Sequence, residues 1–142
     1  MTQFNSPSKE AIERSFGTND DALLAAMAAA FGLIACSDAV LEQCETERFF
    51  EIVRTSDSLS KLPWDHIESQ FERVTNDILK QGAAGREAAL ASVAAVKADN
   101  AHRDAVIACA RIAVVSNFQV QDVEERALKE VCTALGVQPD DI

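Results

Sequence analysis

The chain has 142 residues, of which 48% are apolar, and its formal net charge is −10. This length fits one domain, and the apolar fraction is sufficient for one continuous core. The negative charge repels phosphate backbones and anionic membrane surfaces, which argues against a nucleic-acid partner. Ala, Leu and Val dominate the apolar residues, whereas Gly and Pro are few and Tyr does not occur. This composition predicts an all-α fold.

The N-terminal residues, 1–9, contain no basic region followed by an apolar stretch, which predicts that there is no signal peptide. The longest apolar run covers residues 22–36 and is shorter than the roughly 20 residues that a membrane span requires. It is therefore predicted to be a buried helix. Together these features predict a cytoplasmic protein without direct membrane insertion.

About seven helices are predicted. The first is short and covers residues 6–16, with Ser6 as its N-cap, and it ends before Gly17. The second, 18–34, is apolar on nearly every face, as expected of a helix that is packed on all sides. The third covers residues 43–55, and a polar segment follows it.

The fourth helix begins at Pro63 and carries one amphipathic stripe of apolar residues. The stripe consists of Trp64, Ile67, Phe71, Val74 and Ile78. Gly82 and Gly85 interrupt this pattern, so the fifth helix is predicted to restart over residues 88–97. The sixth follows over 100–115 and is again largely apolar. The seventh covers 122–135 and is predicted to end at a C-cap glycine, Gly136.

The chain contains an internal repeat without gaps. Residues 33–45 align with residues 112–124 at a constant offset of 79 positions, which places Glu45 opposite Glu124. Each copy consists of an apolar helix, a loop, and an amphipathic helix with a Glu near its start. The repeat predicts two related helical halves, packed through their apolar helices as one bundle.

The repeat also suggests how the chain is divided. Its two copies extend over about 20–58 and 99–137, and both lie within a single predicted domain, 19–142. Residues 1–18 are predicted to form an N-terminal tail with a short helix. The sequence does not predict an oligomeric state.

Both loops of the repeat carry the same short motif, which has an acidic or amide residue, an aliphatic residue three positions later and a Glu seven positions later. The motif consists of Asp38, Leu41 and Glu45 in the first copy and of Asn117, Val120 and Glu124 in the second. It resembles the Asp-Gly-x-[Ile/Val]-x-x-x-Glu signature of the TerB-like tellurite-resistance family. The resemblance covers about residues 20–140, including the ending Ala-Leu-Gly-Val at 134–137.

The resemblance implies a non-enzymatic module with a role in tellurite resistance or stress response. It also implies that the module acts by binding other proteins, including those of a membrane-associated stress-resistance complex. Two positions depart from the signature, because Ala39 and Phe118 stand where the family has Gly. Asn117 also lacks the charge of the corresponding Asp38. The second loop is therefore predicted to be a degenerate copy.

The first loop is a candidate cation site. Asp38 and Glu45 can converge across the loop, with Glu42 as a third oxygen ligand, and oxygen ligands are those that Ca²⁺ and Mg²⁺ prefer. The corresponding residues of the second loop are Asn117 and Glu124. A structural explanation is also open, since a Glu in the first turn complements the helix dipole and an Asp can form an Asx turn.

Residue types that could support catalysis do not form a recognisable pattern. His66 and His102 lie near predicted helix starts among charged residues, where solvated surface positions explain them. No serine lies in a nucleophile pattern with a His and an acid, and no Gly-rich phosphate loop follows a strand. The chain is therefore not predicted to be an enzyme.

The cysteines leave one alternative function open. None of the four forms a Cys-x-x-Cys pair, and reduced, mostly buried thiols are the simplest interpretation. However, Cys36 and Cys44 flank the first loop. The alternative is a protein that handles oxyanions or redox chemistry through these two thiols.

Overall fold

The computed structural model describes residues 7–37, 41–57, 59–115 and 122–138, and it describes side chains for 21–37, 41–57, 59–114 and 124–138. Six α-helices and one 3-10 turn make up this part, and no strand occurs in it. The α-helices are α1 (Pro7–Ala35), α2 (Gln43–Thr55), α3 (Trp64–Gln81), α4 (Ala83–Ala94), α5 (Asn100–Val115) and α6 (Asp122–Leu135). The 3-10 turn, Leu59–Lys61, lies between α2 and α3. The predicted all-α fold is confirmed.

Helix α1 is the centre of the bundle, because it contacts each of the other five helices. From Leu23 to Cys36 nearly every side chain is buried, and Leu24, Phe31 and Ile34 have no exposed surface. The run of alanines in this segment lets neighbouring helices approach from all sides, since a small side chain keeps the helix axes close. The predicted all-round burial of this helix is confirmed.

Three aromatic rings join α1 to α2 and α3. Phe49 of α2 stacks on Phe71 of α3 with a centroid distance of 4.4 Å, and Phe31 of α1 lies 5.5 Å from Phe49. Such offset and tilted arrangements stabilise a core beyond the burial of apolar area. The cluster holds α2 against α1 and α3.

The helix boundaries differ from the predicted ones at two glycines. The first two predicted helices are one helix, α1, which runs through Gly17. The fourth ends as predicted at Gly82, which has a positive φ of 58°, but α4 begins directly afterwards and contains Gly85. A glycine in a helix interior lowers the stability of the helix by only about 1 kcal/mol relative to Ala. The turns on either side can therefore keep the helix continuous at a glycine.

Gly85 serves close packing of α4 on α3. A Cβ atom at this position would lie 2.0 Å from the carbonyl oxygen of Asp77. Gly136, by contrast, has a φ of 76° and open space around it. The amide of Val137 donates to the carbonyl of Cys132 over 3.0 Å, which is the Schellman pattern and confirms the predicted C-cap.

The two halves of the repeat have the same arrangement. The apolar helices α1 and α5 pack against each other, and each is followed by an amphipathic helix, α2 or α6. Equivalent positions are buried in both apolar helices, as for Phe31 and Ala110 or Ile34 and Ala113. Within the described ranges, no helix combines the length and apolar character needed to cross a bilayer.

Candidate functional site

The first loop leads from α1 into α2. Glu42 is the N-cap of α2, with φ −90° and ψ 153°, and its side chain is exposed. Glu45 lies one turn further along, and only 4% of its surface is exposed. The backbone amide of Glu42 donates to the Oε1 atom of Glu45 over 3.0 Å. Glu45 therefore caps the start of α2 and places a negative charge at the positive end of the helix.

The Glu at the equivalent position of the second half lies at the start of α6 and is also buried. Glu124 is 2% exposed, so both of the repeat-equivalent glutamates are buried. A carboxylate in an apolar core is costly unless hydrogen bonds or a positive charge compensate it. The same position, the third residue of the helix, is therefore occupied by a buried Glu in both halves.

The predicted cation ligands are placed only in part. Asp38 and Asn117 lie outside the described residues, whereas Glu42 and Glu45 lie three positions apart at the same helix start. Within the described residues, no three His, Cys, Asp or Glu side chains converge into a potential metal site. Glu42 and Glu45 have the oxygen chemistry that Ca²⁺ or Mg²⁺ requires. A complete first-loop site would need Asp38 as its third carboxylate.

None of the four cysteines forms a disulfide. Cys36, Cys109 and Cys132 are buried, and burial raises the pKa of the Cys109 and Cys132 thiols. Cys44 is exposed, and its Sγ atom lies 4.0 Å from Oε2 of Glu42. Of the two thiols in the alternative hypothesis, only Cys44 is therefore accessible. That hypothesis stays a prediction.

The two histidines lie beside aspartates near helix starts. The Nε2 atom of His66 is 2.9 Å from Oδ1 of Asp21, and this contact joins α3 to α1. His102 follows Asp99, whose Oδ1 atom accepts a hydrogen bond from the His102 amide. This hydrogen bond lowers the pKa of Asp99. Both aspartates thus have structural roles that the sequence patterns did not indicate.

Comparison with known families adds an independent observation. A family model described as tellurite resistance protein TerB matches residues 24–142. The chain belongs to the TerB family. The match includes both loops and all of the helices from the apolar half of α1 onward, so the family assignment inferred from the two motifs is confirmed. Neither a search of curated proteins nor a search of solved structures returned a significant match.

This TerB-family chain also has a surface groove between α4 and α6, which the sequence analysis missed. The groove has a volume of about 400 Å³ and is lined by Leu90, Arg126, Lys129, Glu130, Thr133 and Ala134. Arg86 of α4 forms a salt bridge with Glu130 of α6 at its edge. No sequence signal identifies the groove, because its two sides come from helices that are distant in the chain.

Proposed function

We propose that this chain is a non-enzymatic, cytoplasmic TerB-family module that contributes to tellurite resistance and the stress response by binding other proteins. The family match over residues 24–142 supports the resistance role. A membrane-associated resistance complex is the proposed setting, with the protein bound to other subunits and not inserted in the bilayer.

We further propose that the first loop holds a divalent cation, Ca²⁺ or Mg²⁺, through Asp38, Glu42 and Glu45. One observation carries this proposal, namely the position of Glu45, which is buried at the helix start that follows the family motif. The Glu42 amide supplies one hydrogen bond to this carboxylate. Carboxylate oxygens are the ligands that Ca²⁺ and Mg²⁺ prefer, and the motif brings three carboxylates to this loop and helix start.

Deletion of the gene in its native host tests the resistance role. The deletion strain is expected to grow more poorly on tellurite, and the wild-type chain supplied in trans is expected to restore growth. Equal growth of the deletion and parent strains would contradict the proposal. A matched strain expressing Asp38→Asn tests whether the first loop is needed for resistance.

A second assay separates this module from the thiol alternative. The purified chain, mixed with tellurite and a thiol reductant, is expected to leave the rate of tellurite consumption unchanged. A rate increase that disappears in Cys44→Ser would favour the thiol-dependent protein. Cys44 is the relevant residue because it is exposed, whereas Cys36 is buried.

A further inference from the structure

We propose that the groove between α4 and α6 binds an acidic amphipathic helix of another protein. This inference rests on the proposed function as an interaction module, and it identifies the surface and the chemistry of the partner. The groove is separate from the first loop, because its lining residues come from α4 and α6 and none of them belongs to α2.

The floor of the groove is apolar. Leu90 of α4 and Ala134 of α6 are partly buried and pack against the main core, so they present a firm apolar surface. A volume of about 400 Å³ falls within the range of concave sites that accommodate ligand groups. Apolar side chains of a partner would bury this floor, and removal of that area from water would favour binding.

The rim of the groove is basic, although the whole chain carries a net charge of −10. Arg126 and Lys129 are exposed and line one wall. Among the described residues, neither has a carboxylate within salt-bridge distance, whereas the acidic Glu130 is paired with Arg86. Of the three charged residues that line the groove, the two without an ion pair are therefore positive. They complement a partner whose side chains next to the apolar face are Asp or Glu.

The residues of α6 that line the groove extend along one face of that helix. Arg126, Lys129 and Thr133 are spaced at i, i+3 and i+7, so they follow one face of α6 over about two turns, or roughly 12 Å. A partner helix lying along this wall would place its own apolar residues, at the same spacing, over Leu90 and Ala134. This is the helix-in-groove mode of recognition.

A second copy of the chain is a poorer occupant. Leu79 is the one large apolar residue that is exposed on the described surface, so a second copy offers no apolar stripe from that surface. We therefore assign the groove to a different protein.

The test uses the full chain and a synthetic helical peptide as the probe. The peptide has about 18 residues, long enough to form helix in water, with Leu at i, i+3, i+4 and i+7 and Glu on the flanking positions. A control peptide carries Lys in place of Glu. Binding is measured by fluorescence anisotropy, and the contact surface is mapped by amide chemical shifts. The acidic peptide is expected to bind, to shift amides of α4 and α6, and to bind more weakly as salt increases.

Charge-reversal variants test whether the basic side chains of the rim contribute to peptide binding. R126E/K129E is expected to weaken binding of the acidic peptide about tenfold or more, and R126Q/K129Q is expected to have a smaller effect in the same direction. The control R48E/K61E changes the net charge by the same amount at exposed positions of α2 and the 3-10 turn. It is expected to change the affinity less than about twofold.

Four outcomes of the peptide experiments would overturn the proposal. The acidic peptide could fail to bind at about 1 mM, or it could shift amide signals outside α4 and α6. R126E/K129E and R48E/K61E could lose the same affinity for the acidic peptide, or the Lys peptide could bind as tightly as the acidic one. Sedimentation could show that the chain self-associates and that R126E/K129E abolishes this association. That result would assign the groove to a second copy and would also overturn the proposal.

If the acidic peptide does not bind while the wild-type chain restores growth on tellurite, only the proposal about the groove is wrong. If deletion causes no sensitivity, the proposed function fails irrespective of the peptide result.

Discussion

Glu45 and Glu124 are buried carboxylates at equivalent positions of the two halves, 79 residues apart in the chain. Each lies in the first turn of the helix that follows its loop. An internal repeat usually retains its apolar positions, because these form the core. Here the repeat also retains an ionisable group in the interior, which indicates a specific role at both helix starts.

The first prediction concerns the stability that these glutamates provide. Glu45→Ala removes the acceptor for the Glu42 amide and leaves that amide without its cap, so we expect a loss of about 1–3 kcal/mol in the free energy of unfolding. Glu124→Ala is expected to cause a similar loss. Urea denaturation measures both. The exposed controls Glu47→Ala and Glu125→Ala should each change stability by less than about 0.5 kcal/mol, and equal effects of all four would contradict the capping role.

The second prediction concerns Gly85. A methyl group there would collide with the carbonyl oxygen of Asp77, so Gly85→Ala must separate α4 from α3. We expect a loss of about 3 kcal/mol or more, measured by urea denaturation. Gly136→Ala is the matched control, because it adds the same methyl group in open space and costs only the positive φ, about 1 kcal/mol. A smaller effect at Gly85 than at Gly136 would show that α3 and α4 can readily separate.

The third prediction concerns the cation at the first loop. A ligand that binds only the folded chain stabilises it by mass action, by about 2.7 kcal/mol at a hundredfold excess over Kd, which corresponds to a rise in Tm of roughly 8 °C. We expect millimolar Ca²⁺ or Mg²⁺ to produce such a shift in the wild type and in Glu47→Gln. The shift should disappear in Asp38→Asn and in Glu45→Gln. Equal shifts in all four proteins would rule out the first loop as the binding site.

The fourth prediction concerns thiol reactivity. Only Cys44 is exposed, so one thiol per native chain should react rapidly with a disulfide reagent near neutral pH. The other three should react only on unfolding. For Cys109 and Cys132 the raised pKa also keeps the thiol protonated. Cys44→Ser should abolish the rapid reaction, and a second rapid thiol at Cys36 would revive the redox alternative.

Much of the architecture could be predicted from the sequence because its signals are local. The apolar run 22–36, the stripe from Trp64 to Ile78 and the glycine at 136 each report on the burial or backbone of their own helix. The repeat then predicted that the two apolar helices pack together. These inferences needed no knowledge of contacts between distant segments.

The errors arose where one residue type serves two physical purposes. Gly82 has a positive φ, and Gly85 allows close packing of two helices. Gly17 does neither of these at a helix end, because α1 continues through it. The local sequence does not distinguish these cases, because the distinction depends on which helix lies opposite. The groove escaped prediction for the same reason, since Leu90 and Ala134 meet only in the folded chain.

The packing of α1 against α5 has a consequence for how a protein of this kind could arise. The apolar helix of each half covers part of the apolar helix of the other, so a single half would expose that part of its apolar surface to water. A symmetric pair of identical chains would cover the same surface, with two chains in place of the present two segments. Gene duplication and fusion would turn that pair into one polypeptide. After fusion the two loops would be free to diverge, and one could lose a charge that the other retained.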